Sequence, residues 1–369
     1  MIRVLSDALS DLKSKVKPPH LMGIAVVVVV LFAVIVLTMC NGDQSVQAPE
    51  VEMPEEIDKE PEEVQEPIEV EPQEPKYRAP LTYEGTEEEI TTRPFAVFVE
   101  NSPAARPQSG LDKADIVYEV LAEGGVTRFI AIYQSQKPET IGPIRSAREY
   151  MLDIADDYDA VFAHAGGSPA ALNRIAREKL PSLSEIVNGS YFVRESFRAK
   201  PHNVYSNLDL LRKGAQSRGY RDTYTLPELT FVTEQTAELA PAPKFAEVVI
   251  PYTSSYQVKY IYDERTQKYD RFINNMAHND LTTNRQLQAT NVLIAYVKHS
   301  VVDGEGRLAI NVHSSGKGYA LQQGTAREVT WRYERGMIRF FEGDKEVPYY
   351  AGNTWIQVVP DVISASLQN

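Results

Sequence analysis

Twenty consecutive residues without a charge, Leu21 to Cys40, divide this chain into parts that cannot share one folded core. At 1.5 Å of rise per residue a helix of that length reaches ~30 Å, the thickness of a bilayer's hydrocarbon layer. It also exceeds the ~7–15 apolar residues at the centre of a secretory signal. Residues 1–20 carry Arg3, Lys13, Lys15 and Lys17 against Asp7 and Asp11, a net charge of +2. Basic flanks stay on the cytoplasmic side. The sequence therefore predicts a cytoplasmic basic segment over 1–20 and a single-pass anchor over 21–40. Everything beyond is expected to be extracytoplasmic, on the cell membrane.

Cys40 closes the span and is the one cysteine in the chain, which excludes a disulfide framework and a cysteine-based zinc site. Leu37-Thr38-Met39-Cys40 resembles a bacterial lipobox, although Met39 stands where that pattern has Gly, Ala or Ser. Two anchors follow from the same residues: an uncleaved transmembrane helix (a signal anchor), or a lipoprotein with lipid on Cys40. The length of the span favours the first.

The formal net charge of the whole chain is −13, and its location matters more than its size. Residues 41–90 hold 17 acidic and 3 basic side chains with seven prolines, a net of −14. Such a segment buries too little apolar area to offset its chain entropy. A disordered, extended acidic stalk is predicted over 41–91. Taking both tails from the total leaves −1 for the body, so the bulk charge does not argue against an anionic ligand. No basic patch suggests nucleic acid as a partner.

Residues 92–238 read as an α/β (or α+β) domain with a mixed sheet, and 239–369 as a mostly antiparallel β domain. Phe95 to Val99 is a short buried strand. Asp115 to Ala122 and Val126 to Tyr133 flank Gly124-Gly125, a two-residue hairpin signal. That turn would pair Glu119 with Ile130 and give Glu119 and Arg128 one face, either a solvated edge or the floor of a polar site. Ser146 with Glu149 three residues on forms a capping box for the next helix. Arg145 and Arg148 would then crowd a helix start whose dipole is already positive. That placement suits a phosphate or carboxylate, or else arginines paired with Asp115 and Glu119.

His164 ends a further strand and precedes Gly166-Gly167, and Ser168-Pro169 opens a helix through about Lys179. His164 is either an acid/base group or a structural hydrogen bonder. Arg194, Arg198, Lys200, His202 and Asn203 form a basic loop before a helix at about Leu208 to Gln216. Beyond Pro241 and Pro243, strands are expected at Val258–Tyr262, Lys268–Ile273, Asn291–Lys298, Arg307–Val312, Glu328–Tyr333, Met337–Phe341 and Thr354–Val359. Trp331 and Trp355 read as core residues or ligand platforms.

Several strings together resemble the YerB-type bacterial surface lipoproteins: Asn101, Arg106-Pro-Gln-Ser-Gly-Leu111, Tyr118-Glu119, Glu123-Gly-Gly, Thr127-Arg128, Gly142-Pro143, Arg145-Ser146, Arg148 and His164-Ala-Gly-Gly-Ser168. Pro201-His202-Asn203, Tyr269, Arg271, His278, Asp280, Asn291 and Thr354-Trp355-Ile356 extend the likeness through the second domain. The resemblance implies a two-domain envelope protein of unassigned biochemistry. The first domain is also similar, over a short and gapped stretch, to the LytR–CpsA–Psr phosphotransferases. That similarity implies Mg²⁺ held by Asp115 and pyrophosphate held by Arg128, Arg145 and Arg148.

Three functions follow as expectations. The first is binding of an anionic envelope ligand by Asn101, Arg106, Glu119, Arg128, Arg145, Ser146, Arg148, His164, Ser168, His202 and Asn203. The second is glycopolymer phosphotransfer on the same residues with Asp115. The third is a non-catalytic adaptor whose partner is a cell-wall polymer or another envelope protein.

Overall fold

A computed structural model describes residues 74–226, 228–236, 239 and 241–368. The anchor over 21–40, Cys40 and most of the stalk lie outside the described residues. Among the described residues, no helix is long and apolar enough to cross a membrane. The folded body begins earlier than 92: Tyr77–Arg78 pairs with Gly85–Thr86, and Ala79 and Leu81 are buried. Two apolar side chains in the local sequence Ala79-Pro80-Leu81 are enough to draw the end of the acidic segment onto the body.

The chain runs through β1 (Phe95–Glu100), β2 (Ile116–Leu121), β3 (Thr127–Tyr133), α1 (Glu149–Asp156), β4 (Val161–His164), α2 (Pro169–Glu178), β5 (Ser182–Ser184) and α3 (Leu208–Ser217). It continues through β6 (Glu247–Thr253), β7 (Tyr256–Asp263), β8 (Lys268–Ile273), β9 (Asn291–Val297), β10 (Ser315–Gln322), β11 (Thr325–Glu334), β12 (Met337–Glu342), β13 (Lys345–Glu346), β14 (Thr354–Pro360) and β15 (Ser366–Gln368). Eleven strands form one mixed sheet in the order β13-β12-β11-β10-β9-β14-β2-β3-β1-β4-β5. The two halves of the sequence therefore share a sheet instead of each closing its own. The joint is β14, parallel to β9 on one side and to β2 on the other, with Gln357 opposite Glu119. A smaller antiparallel sheet contains β8, β7, β6 and β15 in that order.

Both faces of the central strands are covered, which is why every residue of β1 and β14 is buried instead of every second one. One face packs on Val248, Val258, Tyr260 and Tyr269 of the small sheet together with α3. The other packs on Met151, Ile154 and Ala155 of α1 and on Trp331. Trp331 and Trp355 are thus core residues.

Two local expectations fail for identifiable reasons. Five residues, not two, connect β2 to β3, with Gly124 and Gly125 both left-handed (φ +68° and +72°) and Ala122 N–H donating to the Val126 carbonyl at 2.7 Å. The register moves by one, so Glu119 lies opposite Phe129, and Arg128 opposite Val120. A one-residue slip reverses every facing. Glu119 therefore shares the face of Phe129, Ala131 and Tyr133, and Arg128 does not. The capping box is also absent: α1 starts at Glu149 with Arg148 at its N-cap, while Ser146 Oγ donates to the Ala165 carbonyl at 2.9 Å.

The next two helices start where the sequence puts them. Ser168 Oγ accepts from Ala171 N at 3.2 Å with Pro169 at N1, and Asn207 Oδ1 accepts from Leu210 N at 2.9 Å. Ser168→Ala is expected to cost about 1 kcal/mol of stability in urea unfolding, with no effect on ligand binding.

Candidate functional site

The residues expected to form one site separate into two neighbouring groups and several local fixtures. The first group is buried. Glu119 and Arg271 form an ion pair at 2.7 Å, and both side chains are 0% exposed. Glu119 Oε1 also accepts from Thr127 Oγ1 at 2.7 Å, from Asn101 Nδ2 at 3.3 Å and from the Tyr256 hydroxyl at 2.5 Å. Arg271 donates to the Tyr260 hydroxyl at 2.7 Å and to His278 Nδ1 at 3.0 Å. His278 Nε2 meets Gln108 Oε1 at 2.7 Å, and Gln108 returns to Asn101 Oδ1 at 2.9 Å. Arg106 donates to Asn101 Oδ1 at 2.9 Å and lies over the Tyr256 ring.

The Arg271 guanidinium sits 4.5 Å over the Trp355 ring. Burial raises the Tyr256 and Tyr260 hydroxyls well above their ordinary range, so both remain protonated donors. Burial and the Arg271 and Arg106 charges keep His278 neutral. This closed network joins β2 and β3 to β7 and β8. It is a structural tie between the halves, and Asn101, Arg106 and Glu119, expected as ligand contacts, are engaged in it. Glu119 pairs with Arg271 and not with Arg128.

The second group lies at the surface, where the 142–148 segment crosses the ends of β1 and β3. Arg148 grips Glu123 through Nε and Nη2, the latter at 2.8 Å. Arg128 Nη1 donates to the Ser146 carbonyl at 2.9 Å, and its Nη2 stands 3.5 Å from Glu123. Arg145 Nε is 3.5 Å from Glu100 and its side chain is 27% exposed. Glu100 is also met by His202 Nδ1 at 2.9 Å and by Ser102 Oγ at 2.9 Å. Burial and then the Arg148 charge, with a smaller push from Arg145, lower Arg128 to about 10. Against burial, which acts upward, Arg148 and Arg128 hold the Glu123 carboxyl below its usual range. The arginines thus pair with Glu123 and Glu100, not with Asp115 and Glu119.

The remaining residues have local duties. Burial keeps His164 neutral, donating from Nδ1 to the Gly166 carbonyl and bound through Nε2 to Ser182, both at 2.7 Å. Asn203 pins the basic loop by accepting from Arg194 at 2.8 Å, and Arg198 fastens that loop to the Ala104 and Pro107 carbonyls. Asp115 does not join the arginines. It immediately precedes β2, five positions from Val120, the residue opposite Arg128, and so roughly 17 Å along the strand direction. Its oxygens are engaged by Gln134 N, Ser135 N and Ser135 Oγ, and burial pushes the carboxyl up to about 6. A buried carboxyl whose two oxygens already accept three hydrogen bonds is a poor Mg²⁺ ligand, and among the described residues no cluster of three or more His, Cys, Asp or Glu is placed to hold a metal. The metal role expected of Asp115 is not supported by this geometry.

Sequence reading missed Tyr256 and Arg271 as partners of Glu119, and Tyr260 as a partner of Arg271. The signal was present: Arg271 falls on the buried parity of β8 with Tyr269 and Ile273, an arginine on an apolar face that requires a buried counter-charge.

Residues 81–221 match the family described as "Protein of unknown function (DUF3048) N-terminal domain", and 248–356 match its C-terminal domain. The chain belongs to the DUF3048 family. It is 39% identical over 297 residues to the candidate lipoprotein YerB of Bacillus subtilis (strain 168), covering 79% of this chain and 89% of that one. The crystal structure of YerB from Bacillus subtilis is similar at a TM-score of 0.73 and 38% identity, across 79% of this chain and 100% of that one. Both DUF3048 segments contribute to the buried tie, Glu119 from the first and Arg271 from the second.

Proposed function

We propose that this DUF3048 protein is a membrane-tethered, extracytoplasmic envelope protein that binds a phosphate- or carboxylate-bearing ligand at Arg128, Arg145 and Arg148. The relative named as a candidate lipoprotein supports the tether, as do the apolar span and Cys40 at its end. The observation that carries the ligand is the imbalance of charge at the surface group. Among the described residues, three guanidiniums face two carboxylates, and Arg145 is engaged only by a 3.5 Å contact to Glu100 while remaining partly exposed. Its other donors are free to take an anion bidentately. His202 beside Glu100 supplies a further polar contact on the same rim.

Calorimetric titration of inorganic pyrophosphate into the full-length protein tests this. Arg145→Gln is expected to weaken binding at least about tenfold, near 1.4 kcal/mol, with an unchanged melting temperature. Equal binding by both proteins would remove the site. Absence of binding by the wild type would leave the arginines structural and favour the adaptor role.

A further inference from the structure

A cavity of about 770 Å³ opens between the turn joining β7 to β8 and the turn joining β10 to β11. Its aromatic wall is built from Phe245 and Tyr262, which clamp the fully buried Tyr269 at ring-centroid distances of 6.2 and 5.1 Å. Gly324 lies against the Tyr262 ring so closely that an added Cβ would stand 2.7 Å from it. The rim is polar, with Lys244, Glu264, Gln267 and Gln323. Among the described residues, the Lys244, Glu264 and Gln267 head groups have no hydrogen-bond or ion-pair partner, and Gln323 has only the Tyr262 hydroxyl at 3.5 Å.

Both turns place a glutamine in the left-handed region, Gln267 at φ +55° and Gln323 at φ +49°. Glycine or asparagine would adopt that conformation at lower cost, since other side chains lose about 1–2 kcal/mol there. Residues kept in such conformations collect where their side chains are used. Gln267 closes the turn before β8 and Gln323 opens the turn after β10, both at the cavity edge.

We infer that this cavity binds a neutral oligosaccharide. A planar amide accepts and donates on adjacent atoms and a carboxylate accepts on both of its oxygens, so each matches a pair of sugar hydroxyls, while the C–H faces of a sugar ring lie on aromatic rings. One cation and one anion on the rim cancel, so neither a polyanion nor a polycation is selected. An apolar ligand would leave four polar groups without partners, at a cost each time. The site is remote in sequence from the arginine group and does not depend on it.

Chitotetraose titrated into full-length protein, in a detergent without a sugar head group, is the test. The wild type is expected to bind in the millimolar range or tighter, and Gln267→Gly/Gln323→Gly to lose at least about tenfold in affinity. Glycine relieves the left-handed strain at both positions, so the variant is expected to melt no lower than the wild type. Arg145→Gln is expected to bind chitotetraose normally. No binding up to about 10 mM, or unchanged binding by the double-glycine variant, would overturn the inference. So would glycerol 3-phosphate occupying the cavity in place of the sugar.

Discussion

Glu119→Ala lowers the unfolding free energy by about 3–5 kcal/mol, because it strands the buried Arg271 charge without a counter-ion. The partner guanidinium is wholly excluded from solvent and cannot recover its hydration by a side-chain movement. The same substitution leaves the donors of Thr127, Asn101 and Tyr256 without the carboxylate that accepts them. Trp355 lies under Arg271 and reports the loss by fluorescence during urea unfolding. Replacing both charges, as Glu119→Leu/Arg271→Met, is expected to restore a large part of the stability, since a pair of apolar groups carries no desolvation penalty. A loss below about 1 kcal/mol in the single variant would mean that water reaches the pair.

The second large effect is a pH dependence at Asp157. This residue follows α1, where the negative end of the helix dipole disfavours a carboxylate. Its Oδ1 accepts from the Tyr333 hydroxyl at 2.8 Å, and its Oδ2 is buried without a partner. Burial, with the Asp153 and Asp156 charges adding to it, pushes the carboxyl up to about 8. In the unfolded chain it titrates near ~3.9. Between those values the native state holds a proton that the unfolded state gives up, so stability falls as pH rises.

The ceiling on that slope is about 1.4 kcal/mol per pH unit, and partial solvent access brings the realised value below it. Asp115, raised to about 6, acts in the same direction at lower pH. Buried His164 and His278 are lowered by burial and act in the opposite direction around and below ~6.5. The interval from pH 7 to 8 therefore isolates Asp157. Asp157→Asn is expected to melt higher than the wild type there and to flatten the decline. Parallel melting curves for the two proteins would contradict the assignment.

Local elements were legible in the sequence wherever one short-range rule decided them. Ser168-Pro169 started α2, and the strands expected at Val258–Tyr262 and Lys268–Ile273 are β7 and β8. The pairing of distant strands was not legible. Nothing near Thr354 says that β14 must enter between β9 and β2, because both neighbours are more than fifty residues away. The strand β10 was missed because Gly316 and Gly318 interrupt its pattern. Both glycines are needed there, since added Cβ atoms would fall 2.6 Å from the Tyr296 carbonyl oxygen and 2.0 Å from that of Ile294.

The site divided for the same reason. Arg145, Ser146 and Arg148 were found because they cluster within four positions of the chain. Whether Glu119 and Asp115 joined them depended on one extra residue in the 122–126 turn and on an arginine 152 positions further along. Asn101, Gln108, Glu119 and Arg271, all within the strings that resemble the family, tie its two segments together.

The central claim is that the arginine group accepts an anion. A crystal structure of the protein grown with pyrophosphate tests it most directly. The account predicts the anion within hydrogen-bonding distance of the Arg145 guanidinium, with Arg148 and Arg128 still on Glu123 and Ser146. Pyrophosphate bound only elsewhere, or Arg145 drawn closer to Glu100 with no anion beside it, would contradict the account.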